Sequence, residues 1–149
     1  MASIESEVTI EAPLDRVMAL ARDIERFPEF MKDLVSVKIL ERGPGGKVVS
    51  QWVARVEELR TKIKWTEEDL WDEEAGTCEF HQTEGDYQKM EGVWTFEAVG
   101  ESTLFRSQVE MDYAVPLLGP LLKGLIARKA KENLDATLAA VKAEAERRG

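Results

Sequence analysis

The chain of 149 residues holds one cysteine, one histidine and one asparagine. Cys78 alone cannot close an intrachain disulfide, which agrees with a protein of the cytoplasm. His81 alternates with Phe80 and Gln82, so it points outward if Phe80 points in, and a lone outward histidine leaves no Ser-His-Asp or Cys-His constellation. Cys78 and His81 are spaced like a fragment of a metal site, but no second cysteine or histidine completes it, so neither a metal nor a cofactor is expected. Basic charge is scarce too. With 20 Lys and Arg against 29 Asp and Glu the net charge is −9, which argues against a nucleic-acid partner, because a face that binds phosphates must be basic. The longest apolar stretch, Ala114 to Ala127, is too short for a membrane span and is interrupted by Pro116, Gly119, Pro120 and Lys123. The start, Met1-Ala2-Ser3-Ile4-Glu5, has no basic region followed by an apolar run, so no signal peptide is expected. Gly43-Pro44-Gly45-Gly46 lies between two strand patterns, whereas a phosphate cradle needs a following helix N-terminus; it reads as a hairpin turn.

What is present is ordinary for a globular chain: 44% hydrophobic and 33% charged residues, enough for one domain over residues 1–149 with a sizeable core. High Glu, Lys and Arg content beside the single asparagine hints at a thermophilic source. Ile4, Val8 and Ile10 alternate with polar residues as a first strand with one buried face. Ala12-Pro13 ends it. Val17, Met18, Leu20, Ala21 and Ile24 follow at helical spacing, Asp23 is placed to cap a second short helical turn, and Pro28 breaks that pattern.

From Leu34 to Tyr113 the chain reads as strands joined by short turns. Inner faces carry Val35, Val37 and Ile39; Val48, Trp52, Ala54 and Val56; Ile63 and Trp65; Cys78 and Phe80; Met90, Gly92, Trp94 and Phe96; and Phe105, Val109, Met111 and Tyr113. From Pro116 onward one amphipathic helix presents Leu118, Leu122, Leu125, Ile126, Leu134, Leu138 and Val141 on one side. A helix is roughly 10 Å wide and neighbouring strands sit ~4.8 Å apart, so one helix covers about two strands' width and the sheet must curl around it. The expected fold is α+β: a curved antiparallel sheet of about seven strands gripping a long C-terminal helix, with two short helices after the first strand.

Three strings, in order, resemble one superfamily. Ile10-Glu11-Ala12-Pro13 followed by Val17 resembles the opening of START-like proteins. Phe27-Pro28-Glu29-Phe30-Met31, followed by Val35, Val37, Ile39, Leu40 and Glu41, is similar to the coenzyme-Q-binding subgroup, and Glu91-Gly92-Val93-Trp94-Thr95-Phe96-Glu97 to a strand of cyclase-like members. The resemblance covers essentially the whole chain and implies the helix-grip fold with an apolar cavity under the long helix. It does not imply one activity, because the superfamily holds carriers, cyclases and chaperone-like proteins.

The aromatic residues carry the functional signal. Trp52, Trp65, Phe80, Trp94, Phe105 and Tyr113 fall on inner faces of different strands, more than one helix needs for packing, and a sheet curled around one helix is not expected to bring all of them into mutual contact. With Met90, Met111, Leu122, Ile126 and Phe30 they form the expected ligand-binding set, Tyr113 offering a hydroxyl and Gly92 leaving room at the wall. Phe27, Phe30 and Met31, with the leucines that start the last helix, form a candidate apolar portal; the alternative is a membrane-touching patch aided by Lys123, Arg128, Lys129 and Lys131. Glu67 and Asp69 share parity with Ile63, Trp65 and Trp71, but burying two unpaired carboxylates is costly, so a bulge or strand end that leaves them in solvent is expected. No catalytic residue is assigned. The expected function is binding or carriage of a lipid, quinone or polyketide-like aromatic, with a polyketide aromatase/cyclase using cavity acids or Tyr113 as the alternative, and a protein-interaction module as the second.

Overall fold

Seven strands and one long helix form the body of the molecule. The computed structural model describes residues 2–56, 60–113 and 119–147, the side chains of 2, 113, 119–123, 125 and 126 excepted. The strands are β1 (Ala2–Ile10), β2 (Leu34–Arg42), β3 (Lys47–Val56), β4 (Thr61–Asp72), β5 (Thr77–Gly85), β6 (Tyr87–Val99) and β7 (Ser102–Tyr113); the helices are α1 (Leu14–Arg22) and α2 (Gly119–Arg147). All seven strands lie in one antiparallel sheet in the order β1-β7-β6-β5-β4-β3-β2. From β2 to β7 this is a meander, which short turns alone can connect. β1 pairs with β7, so β1 and β2 are the two edges.

Alternation sorts each strand into a concave and a convex face. Across the sheet, Phe105 stands beside Phe96, and Trp94 lies in register between Ser107 and Cys78. Asp69 is flanked by Phe80 and Val48, Glu67 by Gln82 and Ser50, and Trp65 pairs with Trp52. Val35 is the exception on β2. A register shift between Leu34 and Ser36 turns it out, leaving it exposed, with Leu34 and Val37 facing in. In the β2–β3 turn, Gly46 has φ +83° and a Cβ there would collide with the Trp71 carbonyl at the end of β4, so this turn needs glycine.

α1 begins after Pro13, whose carbonyl accepts the first helical bond from Val17 N at 3.1 Å. It buries Val17, Met18, Leu20 and Ala21. The following 3-10 segment, Ile24–Glu29, runs through Pro28 instead of stopping at it, and Asp23 precedes it without a side-chain capping bond. A proline in such a tight turn lacks only an N–H that the segment does not require.

Along α2, Leu138, Val141 and Ala145 are fully buried against α1, β1 and β7. This half of the helix is latched to the sheet edge. Lys131 Nζ donates to the Glu5 carbonyl at 2.6 Å and Lys142 Nζ to the Thr9 carbonyl at 2.7 Å. Ser6 Oγ donates to Asp135 at 2.6 Å, and Glu11 N donates to Glu146 at 2.8 Å. Edge carbonyls that would otherwise invite another strand are thereby occupied. Lys131 thus helps to latch the helix to the sheet edge. The described portions of α2 rest over β1 and β7, to one side of the concave face.

Candidate functional site

The concave face divides into a closed end and an open end. At the closed end Phe105 stacks on Phe96 with ring centroids 4.6 Å apart, and Trp94 meets Phe105 edge-on at 5.4 Å. Ile10, Val17, Phe27, Leu138 and Val141 fill the remaining volume with almost no exposed surface. At the open end Trp65, Phe80, Tyr87, Val109 and Leu134 border a second buried group formed by Ile4, Met90 and Met111. The four on strands keep part of their surface accessible although the register places them on the covered side, and Leu134 on α2 is half-buried as well.

Trp52 and Trp65 make a flat aromatic platform at this end. Their rings lie parallel within 9° at a centroid distance of 5.8 Å. Each indole N–H is tied down by its own strand: Trp52 Nε1 donates to Ser50 Oγ, and Trp65 Nε1 to Glu67 Oε1, both at 2.8 Å. An indole N–H is a donor only, so each ring is fixed by an oxygen two residues along the same face. Gln82 braces the adjoining turn, donating to the Tyr87 carbonyl at 2.8 Å and accepting from Tyr87 N at 3.2 Å.

Beside the platform sit two acids. Glu67 is 6% exposed and Asp69 4% exposed, contrary to the expectation that they reach solvent. The strand carries no bulge that turns them out on the β3 side, where the register runs unbroken from Lys47 to Val56. The register shift on the β5 side, between Thr66 and Glu67, keeps both acids facing Gln82 and Phe80. Burial, then the charge of Glu67, then a hydrogen bond with it push the Asp69 carboxyl up to about 11, so Asp69 holds its proton at neutral pH. The expected cost of two buried carboxylates is thus avoided by keeping one of them neutral. Among the described residues Asp69 Oδ1 has no hydrogen-bond partner, and neither does the buried Ser107 Oγ further along the same face.

The remaining expected site residues divide as follows. Trp52, Met90, Phe105 and Met111 are buried on the concave face, while Trp65, Phe80 and Trp94 are there but partly open. Tyr113 ends β7, and Leu122 and Ile126 lie in α2; their side chains are outside the described residues, as is the chain from Ala114 to Leu118. The aromatic residues are more connected than their strand positions suggest. Phe27, from the 3-10 segment, touches Trp52 at 6.0 Å and Trp94 at 6.3 Å, joining the platform to the closed end. Phe27 is therefore packed core and not a portal residue; Met31 is buried as well, and only Phe30 stays partly open, 5.7 Å from Phe27. Gly92 does not leave free room: a Cβ there would stand 2.7 Å from the Phe80 ring, which occupies that space. Cys78 is buried, its thiol pushed up by burial, and His81 is exposed. Among the described residues no cluster of His, Cys, Asp and Glu could hold a metal ion, and no helix is long and apolar enough to cross a membrane.

The sequence reading missed the surroundings of the acids: the Trp65 indole that donates to Glu67, and Ser50 and Gln82 on either side of Glu67 in register. An alternating pattern, polar at 50 and apolar at 52 opposite apolar at 65 and polar at 67, is the signal that could have found them.

With this geometry in place, the comparison with known proteins is decisive for the family. The family model described as polyketide cyclase / dehydrase and lipid transport matches residues 10–138. The chain belongs to this family. Its fold superimposes with a TM-score of 0.90 on TTHA0849 from Thermus thermophilus, at 31% identity, covering 96% of each chain. It is 32% identical over 143 residues to the actinorhodin polyketide synthase bifunctional cyclase/dehydratase of Streptomyces coelicolor, covering 93% of this chain and 42% of that protein. The Zhui aromatase/cyclase of Streptomyces sp. R1128 has a TM-score of 0.85 at 23% identity, covering 98% of this chain and 94% of that one, a likeness of fold.

Proposed function

We propose that the open end of the concave face encloses a hydrophobic small molecule, a lipid, quinone or polyketide-like aromatic, and that the domain works by withdrawing it from water. The observation that carries this reading is the surface left on Trp65, Phe80 and Trp94, three large rings on the covered side of the sheet that core packing does not fully use. Apolar pockets with a few placed polar groups are the usual form of small-molecule sites, and here Ser50, Glu67, Asp69 and Gln82 supply the polar groups. Membership of a family that joins polyketide cyclases with lipid transport agrees with such a ligand. The lone cysteine fits a cytoplasmic setting.

A second reading, an aromatase/cyclase-type enzyme, is favoured by the acid pair. Two neighbouring carboxyls, one protonated at neutral pH, are the arrangement from which one group can give a proton and the other accept one. Identifying any small molecule that co-purifies, by native mass spectrometry followed by extraction, tests the binding reading. A protein that carries nothing, and whose melting temperature is unmoved by a panel of lipids, quinones and flat polyphenols, would sink it. A ligand at ~100 times its dissociation constant should add roughly 2.7 kcal/mol to the folded state. Turnover of a poly-β-ketone mimic, lost in Asp69→Asn, would move the protein from carrier to enzyme.

A further inference from the structure

The open end is asymmetric in charge. Across the concave positions of β1 and of β3 to β7 there is no lysine, arginine or histidine, and Arg42, opposite Val48 at the end of β2, is exposed, while Glu67 and Asp69 stand side by side on β4. Arg22, at the end of α1, lies over the Trp71 ring at 5.2 Å and is ion-paired to Glu73, so its charge is committed elsewhere. A carboxylate or phosphate brought to this face would lose its hydration, meet no buried counter-charge among the described strand residues and approach an acid. A neutral hydroxyl would meet the opposite situation. Glu67 Oε1 accepts from Trp65, and Asp69 Oδ1, in a residue 4% exposed, accepts from nothing. Buried polar atoms are almost always satisfied, so an unpartnered acceptor on the ligand-facing side is a place for a donor.

We infer that the Glu67–Asp69 pair is the polar anchor of the bound ligand, accepting a hydrogen bond from a neutral phenolic, enolic or alcoholic hydroxyl and rejecting carboxylate and phosphate headgroups. This rests on the binding reading above. The pair shares one proton: Asp69 keeps it at neutral pH, which leaves acceptor oxygens on both residues. The flat Trp52–Trp65 platform, fixed to this same pair through the Trp65 indole, favours a ring beside the hydroxyl over a flexible chain. Free fatty acids and phospholipids are therefore the wrong cargo, and hydroxylated ring systems the right one.

Three probes with one ring system separate the contributions: naphthalene, naphthol and naphthoate, measured at neutral pH by quenching of tryptophan fluorescence and by calorimetry. Naphthol should bind at least about tenfold more tightly than naphthoate, and more tightly than naphthalene. In the Glu67→Gln/Asp69→Asn double variant the gap between naphthol and naphthoate should narrow by about tenfold, because the repelling charge is gone. Naphthoate binding as well as naphthol to the unaltered protein would overturn the anchor while leaving the cavity in place, as would a gap that the double variant does not change. Naphthol no tighter than naphthalene would overturn the hydroxyl contact. Binding of none of the three, with no response to the wider panel, would remove the cavity and the anchor together. Should the double variant fail to fold, the order of the three probes on the unaltered protein decides alone.

Discussion

The two ends of the concave face are built from the same residue types to different standards of closure. At one end Phe96 and Phe105 stack at 4.6 Å among aliphatic side chains from α1 and α2, and both rings are buried. At the other, Trp52 and Trp65 stack at 5.8 Å, but two acids, a serine and a glutamine share the face, and neighbouring rings remain partly accessible. The first end follows the rule that a core is apolar and close-packed. The second breaks it twice, with a buried carboxyl pair and with unfilled aromatic surface. Places where local rules fail while the fold holds are where function is expected, since stability alone gives no reason to keep a buried acid.

The largest test of this contrast uses one residue type in both settings. Phe105→Ala should cost ~3–5 kcal/mol, because a fully buried ring leaves a cavity its neighbours cannot close. Phe80→Ala, at the open end, should cost clearly less, since part of its ring is already accessible. Urea unfolding of the two variants measures the difference, and equal costs would mean that the open end is ordinary core.

Next in size is the pH response of the acid pair. Asp69 keeps its proton in the fold, whereas in the unfolded chain it titrates near the ordinary 3.8; in the fold it does so only at about 11. The folded state then binds one more proton between these values, so this group's contribution to stability is fully present below 3.8 and is lost as pH rises toward 11. Asp69→Asn should flatten that decline by up to about 1.4 kcal/mol per pH unit in the window, with the variant gaining on the parent as pH rises. Urea midpoints at several pH values between mildly acidic and mildly alkaline show it. Parallel curves for parent and variant would mean that Asp69 is ionised and paired.

These two ends were not equally legible in the sequence. The closed end follows from period alone: Ile10, Val17, Phe96, Phe105, Leu138 and Val141 each sit where alternation or helical spacing puts an apolar residue inward, and each is buried. The same alternation placed Glu67 and Asp69 inward, but the cost of burying charge argued for solvent. What reversed that argument is side-chain geometry within one strand: a tryptophan indole pointed at Glu67, and a neighbouring acid close enough for the two to share a proton. Neither orientation nor protonation is encoded in spacing. Phe27 failed in the other direction, read as a portal residue together with Phe30, Met31 and the leucines of the last helix, whereas the 3-10 segment carries through Pro28 and places the ring between Trp52 and Trp94.

Two serines sharpen the comparison at smaller scale. Ser50 is fully buried and accepts from the Trp52 indole, so Ser50→Ala should cost roughly 1–2 kcal/mol by leaving that donor unpaired at the platform. Ser107 is buried too, but its hydroxyl is unpartnered, so Ser107→Ala should be neutral or stabilising by up to about 1 kcal/mol. A loss at Ser107 as large as that at Ser50 would mean both hydroxyls are equally engaged, and the polar stripe would then extend beyond the open end.

The smallest effect concerns what holds the closed end shut. Lys142 Nζ donates to the Thr9 carbonyl at 2.7 Å and pairs with Glu146 at 2.6 Å, tying α2 to the unpaired edge of β1. Replacing Lys142 by Met keeps the apolar stem, which covers the helix flank, and removes only the charged donor. Its side chain is 37% exposed, so solvent screens the pair and the expected cost is only about 0.5–1 kcal/mol. The useful reading is where that cost appears. Lys142 lies over the packed end, so Lys142→Met should lower the melting temperature slightly and leave the ligand-induced shift unchanged. If the ligand shift fell as well, α2 would have to couple the latch to the open end along its length. The two ends would then be one mechanical unit, in which the closed end sets how far the helix stands off the Trp52–Trp65 platform.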